Sequence, residues 1–287
     1  MKTFFWIVTT ILISSLPAMA QRPTVVDVPM SFYGNRPAIE VMVNGKGPFL
    51  FLIDTGAQGM ARADASLVQL LNLSKAGQNT ASDASAKNQV TVNEVRLETI
   101  SIGKVRFHNV TAPSRNYNTA TYLPHIDGIL GFDLFSDYLL TLDYPNKRVY
   151  LERGALPKAD GSQILPFETI NGNQYIEIGV GNLKAKAMID SGNIRAVDFP
   201  ASFVKKLALA SYPKLVGKGG GVSGEFELKE VRLQDTLSIG RFLFPEPAIT
   251  FTDVYDEINI GSGLLREFAI TFDQKNHRIR FLKARKQ

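Results

Sequence analysis

Phe51-Leu52-Ile53-Asp54-Thr55-Gly56 and Ala187-Met188-Ile189-Asp190-Ser191-Gly192 are the two stretches whose reading decides the fold. Each is an apolar run that ends on Asp, a hydroxyl residue and Gly. An apolar strand running into a Gly turn leaves a carboxylate at the end of a β-element, beside a hydroxyl able to bond nearby backbone. One Asp-Thr-Gly is an ordinary surface turn. Two copies carry more weight if the chain around them also repeats.

It does. Val28-Pro29 aligns with Leu165-Pro166, Ile39-Glu40-Val41 with Ile176-Glu177-Ile178, and Ser101-Ile102-Gly103 with Ser238-Ile239-Gly240. Further on, Gly128-Ile129-Leu130-Gly131 aligns with Ile258-Asn259-Ile260-Gly261, and the apolar run ending on Asp143 aligns with the one ending on Asp273. The offset is 136 residues between Asp54 and Asp190 and 130 between Gly131 and Gly261, so the copies differ in loop length and not in element order. The pattern reads as one duplicated lobe. Pro157, Lys158 and Asp160 read as a surface linker, which divides the chain into residues 21–158 and 159–287. Short alternating or β-branched runs punctuated by Gly, Asn and Pro predict an all-β fold. Helical spacing appears only at Ala65 to Leu73 and Ala201 to Ala210, each about a dozen residues after its Asp.

Composition narrows the chemistry. Among 287 residues, 45% are hydrophobic, enough to bury sizeable cores, and there is no Cys. That excludes disulfides, a thiol nucleophile and cysteine metal sites. His108, His125 and His277 stand at no metal-ligand spacing, so no metal and no cofactor is expected. His125 reads as a hydrogen-bonded loop residue, and Asp143 and Asp273 as turn residues. The formal charge of +5 is mild, and its one cluster, from His277 through Lys286, reads as a solvated last strand and tail. No nucleic-acid partner is expected. Lys2, the apolar run from Phe4 to Leu16 and Ala18-Met19-Ala20 read as a cleaved signal peptide over residues 1–20. The run is shorter than the roughly 20 residues a bilayer needs. The mature chain is therefore expected outside the cytoplasm with no membrane partner, and the lack of Cys suits a bacterial periplasm or secretion.

Two carboxylates a few ångströms apart do not both ionise readily, so such a pair shares one proton and offers an acid and a base together. Its titration belongs to the pair. With Phe51 to Ala57, Met188 to Asn193, Ile129-Leu130-Gly131 and Asn259-Ile260-Gly261, the chain resembles the two-lobed aspartic peptidases of the pepsin/retropepsin-like superfamily, the bacterial type in particular. The likeness runs over residues 28–283, and this family is the standard instance of the shared proton. It implies two homologous β-barrel-like lobes of six to seven strands, with short helices and a cleft between the lobes. It also implies catalysis by Asp54 and Asp190, supported by Thr55, Gly56, Ser191 and Gly192, with the two hydroxyl residues reaching across to brace the loops. Flap hairpins would be Gly77 to Asn88 and Lys218 to Gly224, and Ala57, Asn193, Gly220 and Gly221 would contact substrate.

Ala57 stands where pepsins carry a Ser or Thr bonded to the aspartate, and Asn193 is unusual at the matching place. A carboxylate that loses such a bond has its lower pKa less depressed, so activity is expected at mildly acidic to neutral pH. The expected function is an exported, monomeric aspartic endopeptidase that holds a peptide or protein substrate as an added strand and attacks it with water. Two alternatives stand beside it: a pepsin-fold binding or inhibitory protein without turnover, and an enzyme restricted to one envelope partner.

Overall fold

A computed structural model describes residues 24–82, 89–119, 124–221 and 224–283. The leader and the tips of both flap candidates lie outside the described residues. Strands dominate, as the alternating runs predict. Arg36–Val43 and Asn173–Val180 show how: both bury the aliphatic residues Ile39, Val41 and Val43, or Ile176, Ile178 and Val180, and turn Glu40 or Glu177 to water. The repeated Ser-Ile-Gly is a hairpin signal. Ile102 pairs Val105 and Ile239 pairs Phe242, and the intervening Gly103 and Gly240 take φ of 54° and 52°.

The strands form three sheets. One has eight strands, from Ser31–Tyr33 to Gly128–Gly131, and another has ten, from Glu168–Ile170 to Ile258–Gly261. The third has six and draws on both halves: Thr24–Pro29, Arg148–Glu152 and Leu139–Asp143 join Phe268–Asp273, Arg278–Lys283 and Ile164–Pro166. The sheets are therefore larger than six to seven strands per lobe. The flap-candidate hairpins extend two of them, and the outer strands of both halves merge in the third. One continuous apolar core joins all three.

The six-stranded sheet holds the halves together where Leu139–Asp143 runs antiparallel to Phe268–Asp273. Thr141 faces Thr271 there, and their buried hydroxyls are 2.8 Å apart. Thr141→Val and Thr271→Val are each expected to destabilise the chain. A double-mutant cycle by urea unfolding should return a coupling of about 0.5–1.5 kcal/mol for the bond between the hydroxyls, and Thr271→Val should cost more than Thr141→Val because Thr271 Oγ1 also accepts from Arg280 at 3.1 Å.

One of the two helix expectations needs correction. The first predicted helix forms, over Ala65–Leu71 with Asp64 capping Ser66 N–H. The second stops at Ala201–Val204, because Leu209 leaves it to bridge Leu233 and Ala210 N–H bonds Arg232 O at 2.9 Å. Two short helical turns also form, Phe132–Phe135 and Ser262–Leu265, each directly after the matched glycine at 131 or 261. Pro157, Lys158 and Asp160 are exposed, and beside them Leu156 is buried, its N–H donating to Asp273 Oδ2 and its carbonyl accepting from Arg278, both at 2.7 Å. Asp143 and Asp273 do serve turns, accepting from Asn146 and Asn276.

Candidate active site

Strand Lys46–Asp54 buries Phe51, Leu52 and Ile53 and ends on Asp54; strand Leu183–Asp190 buries Ala187, Met188 and Ile189 and ends on Asp190. Each lies parallel to a glycine-ended strand, with Asp54 beside Gly131 and Asp190 beside Gly261. The loop after each Asp folds back over that glycine. A Cβ at Gly131 would sit 2.1 Å from Gly59 O, and one at Gly261 would sit 2.4 Å from Arg195 O, so no larger residue fits either place. The chain then bonds to the returning loop, with Phe132 N–H to Ala57 O at 3.1 Å and Ser262 N–H to Asn193 O at 2.7 Å.

The two loops interlock by their hydroxyls. Thr55 N–H donates to Ser191 Oγ at 2.9 Å and Ser191 N–H donates to Thr55 Oγ1 at 3.0 Å. Each hydroxyl then donates across to the strand before the opposite Asp, Thr55 to Ile189 O at 2.9 Å and Ser191 to Ile53 O at 2.7 Å. Both residues are fully buried, so four backbone groups from two sheets are satisfied by two side chains.

The brace sets the carboxyls face to face. Each lies on the opposite loop's glycine: a Cβ on Gly56 would be 2.6 Å from Asp190 Cγ, and one on Gly192 would be 2.3 Å from Asp54 Cγ. Each carboxyl carbon is thereby held over the neighbouring loop, so the two acids face one another across the pair of glycines. Asp54 Oδ1 accepts from Gly56 N–H at 3.0 Å. Asp190 has more donors: Gly192 N–H at 2.8 Å and Asn193 N–H at 3.2 Å on Oδ1, and Asn259 Nδ2 at 2.9 Å on Oδ2. Burial first, and the facing Asp54 charge second, push the Asp190 carboxyl up to about 7, against the downward pull of Asn259 and Gly192. The arrangement can therefore hold one proton between two acids up to near-neutral pH.

Polar groups reach the site from further out. Gln174 Nε2 donates to Thr55 O at 2.8 Å and to Ile189 O at 2.5 Å, fastening both loops from below. Ser262 Oγ donates to Ser191 O at 2.8 Å and stands 2.9 Å from the Tyr144 hydroxyl, whose pKa burial raises. His125 lies 3.2 Å from Ser66 Oγ and 3.5 Å from Asp127. Among the described residues no group of three metal-binding side chains occurs.

Asp54, Thr55, Gly56, Asp190, Ser191 and Gly192 are thus brought together, and the four expected substrate contacts are not. Ala57 is buried with Tyr33, Ala38, Leu52, Ile126 and Ile129, which leaves its methyl no surface for a substrate. Asn193 turns its amide inward, to Asp198 Oδ2 at 2.8 Å and Asn259 Oδ1 at 3.0 Å. Gly220 and Gly221 end the hairpin strand Lys214–Gly221, and no described contact joins them to the aspartates. The expectation of fewer bonds holds for Asp54, where Ala57 offers no side-chain donor. It fails for Asp190, because Asn259 takes over. Asn259 and Gln174 were missed as site residues. The readable signal for Asn259 was a polar residue where the first copy has Ile129; Gln174 aligns with Pro37, and nothing marks it.

Comparison with curated proteins gives no match. A family model described as aspartyl protease matches residues 39–134, a span that contains Asp54-Thr55-Gly56 and the Gly128–Gly131 strand and ends before Asp190. Over residues 39–134 the chain is thus similar to the aspartyl protease family, which supports a place in the pepsin/retropepsin-like clan.

Proposed function

We propose that the chain is an aspartic endopeptidase whose dyad is Asp54 and Asp190. The observation that carries the reading is the pair of carboxyls held face to face across two hydroxyl-braced loops, each carboxyl seated on the other loop's glycine. In this reading the ionised carboxyl takes a proton from a bound water as that water attacks the scissile carbonyl carbon. The protonated partner hydrogen-bonds the carbonyl oxygen and stabilises the charge that develops there. The hydroxyl brace keeps both acids in position without reorganisation during the step.

The proposal extends to the rest of the chain. Residues 21–158 and 159–287 are two copies of one duplicated lobe, residues 1–20 direct export, and the mature chain acts outside the cytoplasm as a monomer on peptide or protein substrates. The hairpins Lys75–Ser82 with Gln89–Ile102, and Lys214–Gly221 with Gly224–Arg232, are the flaps of the two lobes.

The raised Asp190 carboxyl gives a pH prediction. Activity needs the shared proton, which is present below about pH 7 and is lost as pH rises through that value. The purified chain from Gln21 should release peptides from a mixed protein digest at mildly acidic pH, with kcat/KM falling above about pH 7, and pepstatin should block release. No release from pH 3 to 8 by the folded protein would instead favour a binding protein of the same fold.

A further inference from the structure

The two acids are not equivalent. Two residues before each Asp, in the same parallel register, the first half places Ile129 opposite Leu52 and the second places Asn259 opposite Met188. The loop residue three after each Asp is Ala57 in one half and Asn193 in the other. Among the described residues the side-chain amide that donates to the pair comes from the second half. Asn259 Nδ2 donates to Asp190 Oδ2 at 2.9 Å, and its own carbonyl oxygen accepts from Asn193 Nδ2 at 3.0 Å. Asn193 Nδ2 also donates to Asp198 Oδ2, a buried carboxylate gripped by Arg195 through contacts of 2.5 to 2.8 Å and by Thr250. The amide of Asn259 has only one orientation that satisfies this chain, the one that aims its N–H groups at Asp190.

We infer that Asn259 is a positioning residue of the dyad, held by the Asn193–Asp198–Arg195 chain so that it stabilises the ionised form of Asp190. The inference rests on the pairing of Asp54 and Asp190 in that reading, and not on turnover. An amide N–H only donates, so it favours an acceptor-only carboxylate over the acid. The other charged or titratable groups near Asp190 are Asp54 on the facing loop, Arg195 on its own loop, Tyr175 on the neighbouring strand Asn173–Val180 and Tyr144 from the first half. None of these is altered by changing Asn259 to an apolar residue, so the effect of the amide is separable. In this chain Asn259 supplies from the glycine strand the bond that Ala57 does not supply to Asp54.

The test is a carboxyl-carbon NMR titration of the mature chain carrying labelled Asp, run beside the pH profile of kcat/KM. Asn259→Leu is expected to move the titration of the pair upward by about one pH unit, a roughly tenfold change in proton affinity, with the alkaline limb of activity following. Asn193→Ala, which frees the Asn259 amide to rotate, should move it in the same direction by less. An upward move of either step of the pair supports the role, because the amide can act on whichever step ionises Asp190. Unchanged or lowered titration in a folded Asn259→Leu variant overturns it, since a purely structural residue would alter stability without touching proton affinity. Should Asn259→Leu not fold, the Asn193→Ala titration decides in the same way. A wild-type chain that titrates as a coupled pair but cleaves no peptide removes the peptidase reading and leaves this one standing.

Discussion

Asp54→Asn and Asp190→Asn should each lower kcat/KM by at least about a thousandfold, with the fold intact by circular dichroism. An amide fills the same volume but cannot hold the shared proton or take one from water. Because the two carboxyls act as one proton-sharing unit, the double variant should be scarcely worse than either single one. If either single variant keeps full activity, the dyad assignment is wrong. The same substitution carries a stability signature. The Asp190 pKa rises on folding from the ordinary 3.8 to about 7, so between those values the folded chain binds more protons than the unfolded one. Wild-type stability must therefore fall as pH rises through that window, and the Asp190→Asn variant should lack that component of the slope. Urea unfolding at pH 4 and pH 7 reads the difference.

Ser191→Ala is expected to cost about 2–4 kcal/mol, more than the roughly 1–3 kcal/mol of Thr55→Val. The hydroxyls occupy matching positions, but the groups they leave behind differ. Without Ser191 Oγ, Thr55 N–H loses its acceptor and Ile53 O loses a donor deep between the sheets. Without Thr55 Oγ1, Ser191 N–H loses its acceptor, while Ile189 O still receives the Gln174 amide. Both variants should also lose about tenfold or more in kcat/KM, because a misplaced carboxyl forfeits the alignment the reaction requires. Equal costs for the two changes would show that Gln174 does not support the loops.

The central part of this site was legible before any coordinates. Asp54 and Asp190 drew attention because each ends an apolar run, and the matched glycine strands showed that the surroundings repeat. The brace was implied by the resemblance to the two-lobed aspartic peptidases, through the hydroxyl residue beside each Asp. What could not be read was the support beneath it. Gln174 stands in a strand whose counterpart carries Pro37, and the partners it reaches lie 119 and 15 residues away. The helix predicted from Ala201 to Ala210 failed for a related reason: its apolar spacing was real, but Leu209 was needed by a strand partner at Leu233.

By itself the sequence determined the strand pattern, the matched motifs and the two acids, because period-two alternation, Gly turns and a motif that occurs twice are local or self-referring signals. The tertiary structure alone decided how the acids differ. Asn259 lies 69 residues from Asp190, and only the parallel pairing of their strands points its amide at that carboxylate while Ile129 faces the other half. A hydrogen bond depends on direction and distance between atoms that folding brings together, and no residue pattern along the chain carries that information.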